Sequence, residues 1–348
     1  MKTMTDVAKK AGVSQATVSR VVNRDPKVAD STAAAVNRAM RELGYNPRPR
    51  RKRTRHINSG KVSGHGTIAL VMLDESMDTH PFMSLTKLRG VEAAAGEAGM
   101  TLALARLPEG GGLPPALLLP DLRGVLLWGH GIPPEIEQII DEVPHFWLSS
   151  HAEAGENVVL VGNEQAGRLA ADYLLDHGVE NPAALYPSSP DARYELRAQG
   201  FRIACLARNR EAALITTDLP RGKFFSELPR KKQRPVVREL VEQLAAVDPR
   251  PDGLFLLDDI LAPPAYAELN RYGMRPERDI RIVSCGNEAG YLNALDPRPA
   301  TVDLGPEATG RLAVEQLLRE IQSPGSANGQ ISMLVNPRLV EGGDEDKS

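Results

Sequence analysis

The stretch "AGVSQATVSRVVN", residues 11–23, decides how the first part of the chain is read. Gly12 closes one short apolar-periodic segment, and Ser14 is placed to cap the next. Val18, Val21 and Val22 then recur at helical spacing as a narrow buried stripe. The other side carries Gln15, Ala16, Thr17, Ser19, Arg20 and Asn23, with no long acidic side chain among them. A helix that enters the major groove of DNA needs such a face. Small residues permit close approach, Gln and Arg can make bidentate contacts to base edges, and hydroxyls reach phosphates.

Two flanking segments complete a three-helix unit. "TDVAKKAG" (5–12) predicts a helix capped by Thr5 or Thr3, with Val7, Ala8 and Ala11 on one face. "STAAAVNRAMRELG" (31–44) predicts another, capped by Ser31, with Val36, Met40 and Leu43 inward. The tight "AGVS" connection between two short helices has the helix-turn-helix spacing.

Charge divides the chain in the same place. The 348 residues hold 42 Lys+Arg and 45 Asp+Glu. Residues 1–65 hold 15 of the bases and 4 of the acids, leaving 27 against 41 for residues 66–348. A basic head on an acidic body calls for a polyanionic partner at the head alone. No run of about 18 apolar residues suggests a membrane span. The first residues lack the apolar core of a secretory signal. Cys205 and Cys285 lie far apart without metal-ligand spacing, so a reduced cytoplasm with no disulfide, metal or cofactor is expected.

From residue 66 strands and helices alternate. "TIALVML" (67–73), "MTLALAR" (100–106), "RGVLLWG" (123–129) and "PHFWLSS" (144–150) read as strands, with helices at 84–99 and 133–143. A second series runs from "NVVLVGN" (157–163) to "IRIVSCG" (280–286), with helices at 164–178, 192–209, 235–247 and near 263–272. This pattern predicts two α/β lobes with parallel sheets, and ligands of such sheets bind beyond the C-terminal strand ends. There is no Gly-rich phosphate loop after the first strand, no G-x-S-x-G elbow and no H-E-x-x-H, so nothing calls for an enzyme. A solute-binding protein with the same body would need a signal peptide and would leave the basic head unexplained.

The run "TDVAKKAGVSQATVSRVVNRDPKVADSTAAAVNRAMRELGYNP" (5–47) resembles the headpiece of the lactose-repressor (LacI/GalR) family of bacterial transcription regulators. The resemblance implies base-reading positions at Gln15, Ala16 and Arg20, and phosphate-contacting or supporting ones at Ser14, Thr17, Ser19 and Asn23. Thr5, at the start of the first helix, joins this set. Ala16 offers only methyl contact or shape. The body resembles the family's periplasmic-binding-protein-like effector domain through "THPFM" (79–83), "RAQGF" (197–201), Asp258–Asp259 and "GNE" (286–288). Asp258 stands where the family has Asn, and Asn287 where it has Asp. Candidate effector residues are Phe82, His130, Trp147, Gln165, Arg197, Asp258 and Asn287. Each of several has a plainer alternative. Trp147 suits a core, His130 a loop, Arg197 a structural ion pair, and Asp258 a cap on the next helix.

Between head and body lies "NPRPRRKRTRH" (46–56). The family places a short hinge helix here, with a leucine that opens the minor groove. This chain has Thr54 about where the leucine belongs, and Pro49 with the Arg-Lys run makes a poor helix nucleus. Two readings stay open. Arg48, Arg50, Arg51, Lys52, Arg53 and Arg55 form an arm tracking the minor groove, or a solvated tether attracted to phosphate without sequence preference. The following "INSGKVSGHG" is flexible by composition, which implies looser coupling between effector and DNA.

The expected protein has an all-α helix-turn-helix headpiece (1–46), a basic hinge (47–65), a two-lobed α/β periplasmic-binding-protein-like effector domain (66–340) and an acidic tail (341–348). Its expected role is that of a transcriptional repressor, acting as a homodimer on an inverted-repeat operator in double-stranded DNA. Its expected effector is a carbohydrate held between the lobes. It would work in the bacterial cytoplasm, on the nucleoid, with no membrane contact.

Overall fold

The computed structural model describes residues 4–22, 30–43, 66–73, 81–107, 112–129, 131–140, 142–148, 157–188, 192–219, 225–324 and 329–343. The chain divides into two compact units, residues 1–59 and 60–348.

The first unit contains α1 (Met4–Ala11), α2 (Gln15–Val22) and α3 (Asp30–Leu43). Val7, Ala8, Val18, Val21, Val36 and Ala39 form its core, flanked by Ala11, Val13 and Met40. The stripes read from helical periodicity therefore meet, although the side chains of Val22 and Leu43 lie outside the described residues. Gly12 takes φ +68°, a left-handed turn that lets α1 end and the chain reverse. α1 starts at Met4 and α3 at Asp30, so Thr5 and Ser31 sit inside their helices rather than before them, while Thr3, the other expected cap of α1, lies outside the described residues.

In the second unit, two six-stranded sheets carry helices on both faces. In chain order the strands and helices are β1 (Thr67–Met72), α4 (Pro81–Glu97), β2 (Thr101–Arg106), β3 (Leu122–Trp128), α5 (Pro134–Ile140), β4 (His145–Leu148) and β5 (Val158–Val161). Then come α6 (Asn163–Asp176), β6 (Pro182–Ser188), α7 (Ala192–Ala207), β7 (Ala213–Asp218), α8 (Arg230–Ala245), β8 (Gly253–Leu256) and α9 (Ala262–Arg271). The chain ends with β9 (Arg281–Cys285), α10 (Ala289–Leu292), β10 (Ala300–Asp303), α11 (Pro306–Gln322), β11 (Ser332–Val335) and β12 (Arg338–Val340). The first sheet has the order β11-β5-β4-β3-β1-β2 and the second β12-β10-β9-β8-β6-β7. All pairings are parallel except β10 with β12. Helices on both faces bury central strands completely, which is why β8, and β1 after Thr67, are continuous apolar runs.

The two series do not map one-to-one onto the two lobes. β11 joins the first sheet, and α11 places Ala313, Val314, Leu317 and Ile321 in the core of that lobe. Each of these side chains, if fully buried, contributes on the order of 1–3 kcal/mol of hydrophobic stabilisation. The chain thus crosses between lobes three times: at Gly162, at Gly305, and between β11 and β12. The crossings touch. Gly162 N–H donates to Val335 O at 3.1 Å, and a Cβ at Gly162 would meet Pro337 Cδ at 2.8 Å. Gly305 adopts φ +64° beside Val335. Because the first crossing leaves the C-terminal end of β5 and enters the N-terminus of α6, the C-terminal strand ends of the two sheets face one another.

α8 differs from expectation. It begins at Arg230, five residues before Pro235, which stands inside it. Pro229 O accepts the N–H groups of Lys232 and Gln233 and so starts the helix early. Pro235 then forgoes one intrahelical bond.

Candidate DNA-reading face and effector site

In the head, Ser14 Oγ accepts the N–H of Thr17 at 3.1 Å and lies 2.9 Å from the Thr17 hydroxyl. This is an N-cap as expected: it satisfies an orphan donor and fixes where α2 starts. With Val18 and Val21 buried, Gln15 and Arg20 are held exposed and Thr17 half-exposed. Thr5, Lys9 and Lys10 of α1 are also exposed. The side chains of Ala16 and Ser19 lie outside the described residues, as do Asn23, Arg48, Arg50, Arg51, Lys52, Arg53 and Arg55.

In the body, polar side chains gather where the second lobe's strands end. Arg197, on the first half of α7, is nearly fully buried. Its Nε donates to Asn163 Oδ1 at 3.0 Å and its Nη1 to Leu257 O at 2.6 Å. Two neutral acceptors, rather than the carboxylate of an ion pair, pin this arginine. It ties the start of α6 to the end of β8. Asp258 caps the turn that precedes α9, its Oδ1 accepting Ile260 N–H at 3.2 Å. Its Oδ2 accepts the Tyr194 hydroxyl at 3.2 Å. The plainer reading of Asp258 as a cap is thus present, together with a tyrosine on the other oxygen.

Asp259 is completely buried and draws three segments together. It accepts Glu288 N–H at 2.6 Å and the Thr301 hydroxyl at 3.0 Å. Thr301 Oγ1 in turn accepts Asn287 N–H at 3.2 Å. Burial pushes the Asp259 carboxyl up to about 7, against the hydrogen bonds from Ser284, Glu288 and Thr301. Gly286 leaves room for this carboxylate, since a Cβ there would lie 3.0 Å from Asp259 Oδ2. Asn287 takes φ +54°, and its side chain runs between Arg298 and Asp303 at 3.4 and 3.5 Å. Asp303 also pairs with Arg338 at 3.0 Å, bridging the second and third crossings.

The structure therefore gathers Arg197, Asp258 and Asn287, and adds Asn163, Tyr194, Asp259, Glu288 and Thr301. Tyr194 and Arg197 are one helical turn apart on α7, a spacing visible in "YELR". Asn163 and Thr301 carry no such local signal, and Glu288 is marked only by its place in "GNE". Gln165 is half-exposed on α6 beside Gly162. Trp147 is placed differently from a cleft residue. It lies in the apolar cluster of Val71, Leu127, Ile136 and Ile140, and its indole N–H has no hydrogen-bond partner. The Phe82 side chain and His130 lie outside the described residues. Among the described residues, no group of three or more His, Cys, Asp or Glu could hold a metal ion, and no helix is long and apolar enough to cross a membrane.

A capped helix-turn-helix followed in one chain by a two-lobed α/β body defines a DNA-binding regulator. Residues 3–48 match the family described as "Bacterial regulatory proteins, lacI family", and residues 171–343 match the "Periplasmic binding protein-like domain". The ribose operon repressor of Escherichia coli (strain K12) is 27% identical over 359 residues, spanning 99% of each chain. Among solved structures, a complex of the transcriptional regulator CelR with cellobiose aligns with TM-score 0.63 at 24% identity, covering 99% of each chain. The lac repressor dimer bound to operator and an anti-inducer aligns with TM-score 0.60 at 22% identity, covering 98% of each. The head therefore carries a domain of the LacI family of bacterial regulatory proteins, and the body a periplasmic-binding-protein-like domain.

Proposed function

We propose that this regulator is a repressor that binds an inverted-repeat operator as a homodimer and releases or grips it according to a small carbohydrate between its lobes. The observation that carries the DNA half is the Ser14 cap, which sets the register of α2 and leaves Gln15 and Arg20 exposed over a valine core. Gln15, Ala16 and Arg20 read bases. Ser14, Thr17, Ser19 and Asn23 hold phosphates, with Thr5 beside them. Arg48, Arg50, Arg51 and Arg53 follow the minor groove. The head ends at residue 46, the basic hinge spans 47–65, and residues 341–348 form an acidic tail. The protein works in the bacterial cytoplasm, on the nucleoid.

Two-fold symmetry pairs two heads on half-sites about one helical turn apart. Dimerisation is supported by the exposed Leu104 on the edge strand β2 and the exposed Leu85 on α4. It is also supported by the dimeric lac repressor among the structural neighbours. The polar groups at the strand ends, Arg197, Asp258 and Asn287 with Gln165, support a ligand rich in hydroxyls. So does the cellobiose held by the neighbour CelR. Ligand binding shifts the populations of two body conformations and, through them, DNA affinity.

The test is selection of bound duplexes from a randomised pool with the full-length protein, followed by release with ribose or cellobiose. Enrichment of an inverted repeat is expected, and an A·T-rich centre would mark the arginine arm. Gln15→Ala or Arg20→Ala should weaken operator binding by about 1–3 kcal/mol and relax readout at one position of each half-site. A pool that stays random overturns the reading.

A further inference from the structure

One flank of α8 carries charge that neither the head nor the effector site uses. Arg230, Arg234 and Arg238 follow at i, i+4 and i+8, with Lys231 beside them, and all are exposed. Arg271 joins from α9. Arg234, Arg238 and Arg271 converge on one carboxylate, Glu268, at 2.9, 3.4 and 3.2 Å. Glu268 is 1% exposed, while the three arginines are 50%, 50% and 54% exposed. Burial pushes its carboxyl up, but the Arg234 hydrogen bond and the fields of the three guanidiniums win and hold it low. It is an ionised anchor.

One arginine would neutralise that carboxylate. All three arginines are drawn to Glu268 and repel one another, and two positive charges remain uncompensated within the cluster. Glu268 engages Arg234 and Arg238 through Nε, which leaves the paired Nη groups of both as donors. Such a fork suits carboxylate oxygens. Successive arginines on α8 are about 6 Å apart along the axis. Side chains on one face of an extended segment recur about every 6.6 Å. The strip is also narrow. Exposed Glu242 ends the same row at i+12, exposed Glu239 lies on the next flank, and residues 66–348 as a whole hold 27 bases against 41 acids. A duplex laid over it would press phosphates against those carboxylates, whereas a single extended chain would not.

We infer that the arginine row of α8 and α9 is a docking surface for an extended acidic segment of a partner protein. Glu268 pre-orders the guanidiniums and, as a like charge, also competes with the incoming carboxylates.

The experiment measures fluorescence anisotropy of a labelled deca-glutamate peptide, and of a labelled non-operator duplex, with the full-length protein. Arg234→Gln/Arg238→Gln should weaken peptide binding about tenfold or more, and Glu268→Gln should strengthen it about threefold. Arg208→Gln, which removes an exposed arginine just beyond the end of α7, should leave it unchanged. If the double variant fails to fold, Glu268→Gln decides alone, because a merely structural cluster would lose binding rather than gain it. No binding to the wild type, equal binding by the double variant, or weaker binding by Glu268→Gln each overturns the inference. So does a larger loss for the duplex than for the peptide.

Discussion

The two lobes of the body are built alike and equipped differently. In each, the helix after the first strand packs on a helix that follows a crossing, through a reciprocal pair of glycines. In the first lobe, a Cβ at Gly90 would lie 2.0 Å from Glu307 O, and one at Gly310 2.2 Å from Lys87 O. In the second, a Cβ at Gly167 would lie 2.0 Å from Arg197 O, and one at Gly200 2.1 Å from Glu164 O. Yet at the strand ends the first lobe shows Trp128, with the buried Lys87 ammonium 4.5 Å from its ring, and an apolar Leu148. The second shows Arg197, Asp258, Asp259 and Glu288. Repetition of the backbone does not carry repetition of chemistry, since the glycines govern how closely helices approach and the strand-end side chains are free to differ.

The largest effect tests the shared part. Gly200→Ala and Gly310→Ala each put a methyl group into a backbone carbonyl, and helices cannot yield as a side chain does. Each should cost about 3 kcal/mol in chemical denaturation. A difference of more than about 1 kcal/mol between them would break the structural equivalence of the lobes.

Next comes the unshared part. Arg197→Met keeps the stem but removes both donors to Asn163 and Leu257, leaving two buried acceptors without them. Loss of about 2–3 kcal/mol is expected, with release of operator by sugar abolished. Normal stability would mean that Arg197 is not the pin that the distances describe.

Much of this was legible in the sequence, and for identifiable reasons. The α2 cap and its valine stripe are local, so "VSQATVSRVV" suffices to read them. Arg197 and Asp258 sit in short runs that resemble the family. The closing segment is another matter. β10, α11, β11 and β12 are not foreseen, because membership of a lobe depends on pairing with strands about 170 residues away, such as Ser332 with Val158. Trp147 shows a second limit. In a parallel strand buried on both faces, alternation places Phe146 and Trp147 on opposite sides, but both sides are core, so the pattern cannot mark either as a cleft residue. The early start of α8 shows a third, since Pro235 reads as a first-turn residue until Pro229 is seen accepting the first bonds.

A smaller effect is read by pH. Asp259 titrates near 7 in the fold and near the usual carboxylate value when unfolded, so the folded state binds more protons between those values. Its contribution to stability is therefore present at low pH and is lost as pH rises toward and through 7. Asp279 and Glu97, held low by Arg275 and Arg311, act in the opposite sense, losing stability as pH falls. Asp259→Asn should flatten the decline in melting temperature between pH 5 and 7 that the buried carboxylate imposes, whatever it does to the absolute value. An unchanged slope would mean that Asp259 stays ionised throughout.

The smallest effect concerns Trp147, the first lobe's nearest approach to a buried polar group at fault. Two terms oppose each other in Trp147→Phe. The smaller ring forfeits apolar contact with Val71, Leu127 and Ile136, which destabilises. Removing an indole N–H that has no partner relieves a desolvation penalty of about 1–3 kcal/mol. The two should cancel to within about 1 kcal/mol, whereas Trp147→Ala, which opens a cavity, should cost about 3–5 kcal/mol. A loss near 3 kcal/mol for Trp147→Phe would instead show that the indole N–H is engaged in solution. Sugar-dependent recovery of that loss would move Trp147 from the core of the first lobe to the wall of the effector site.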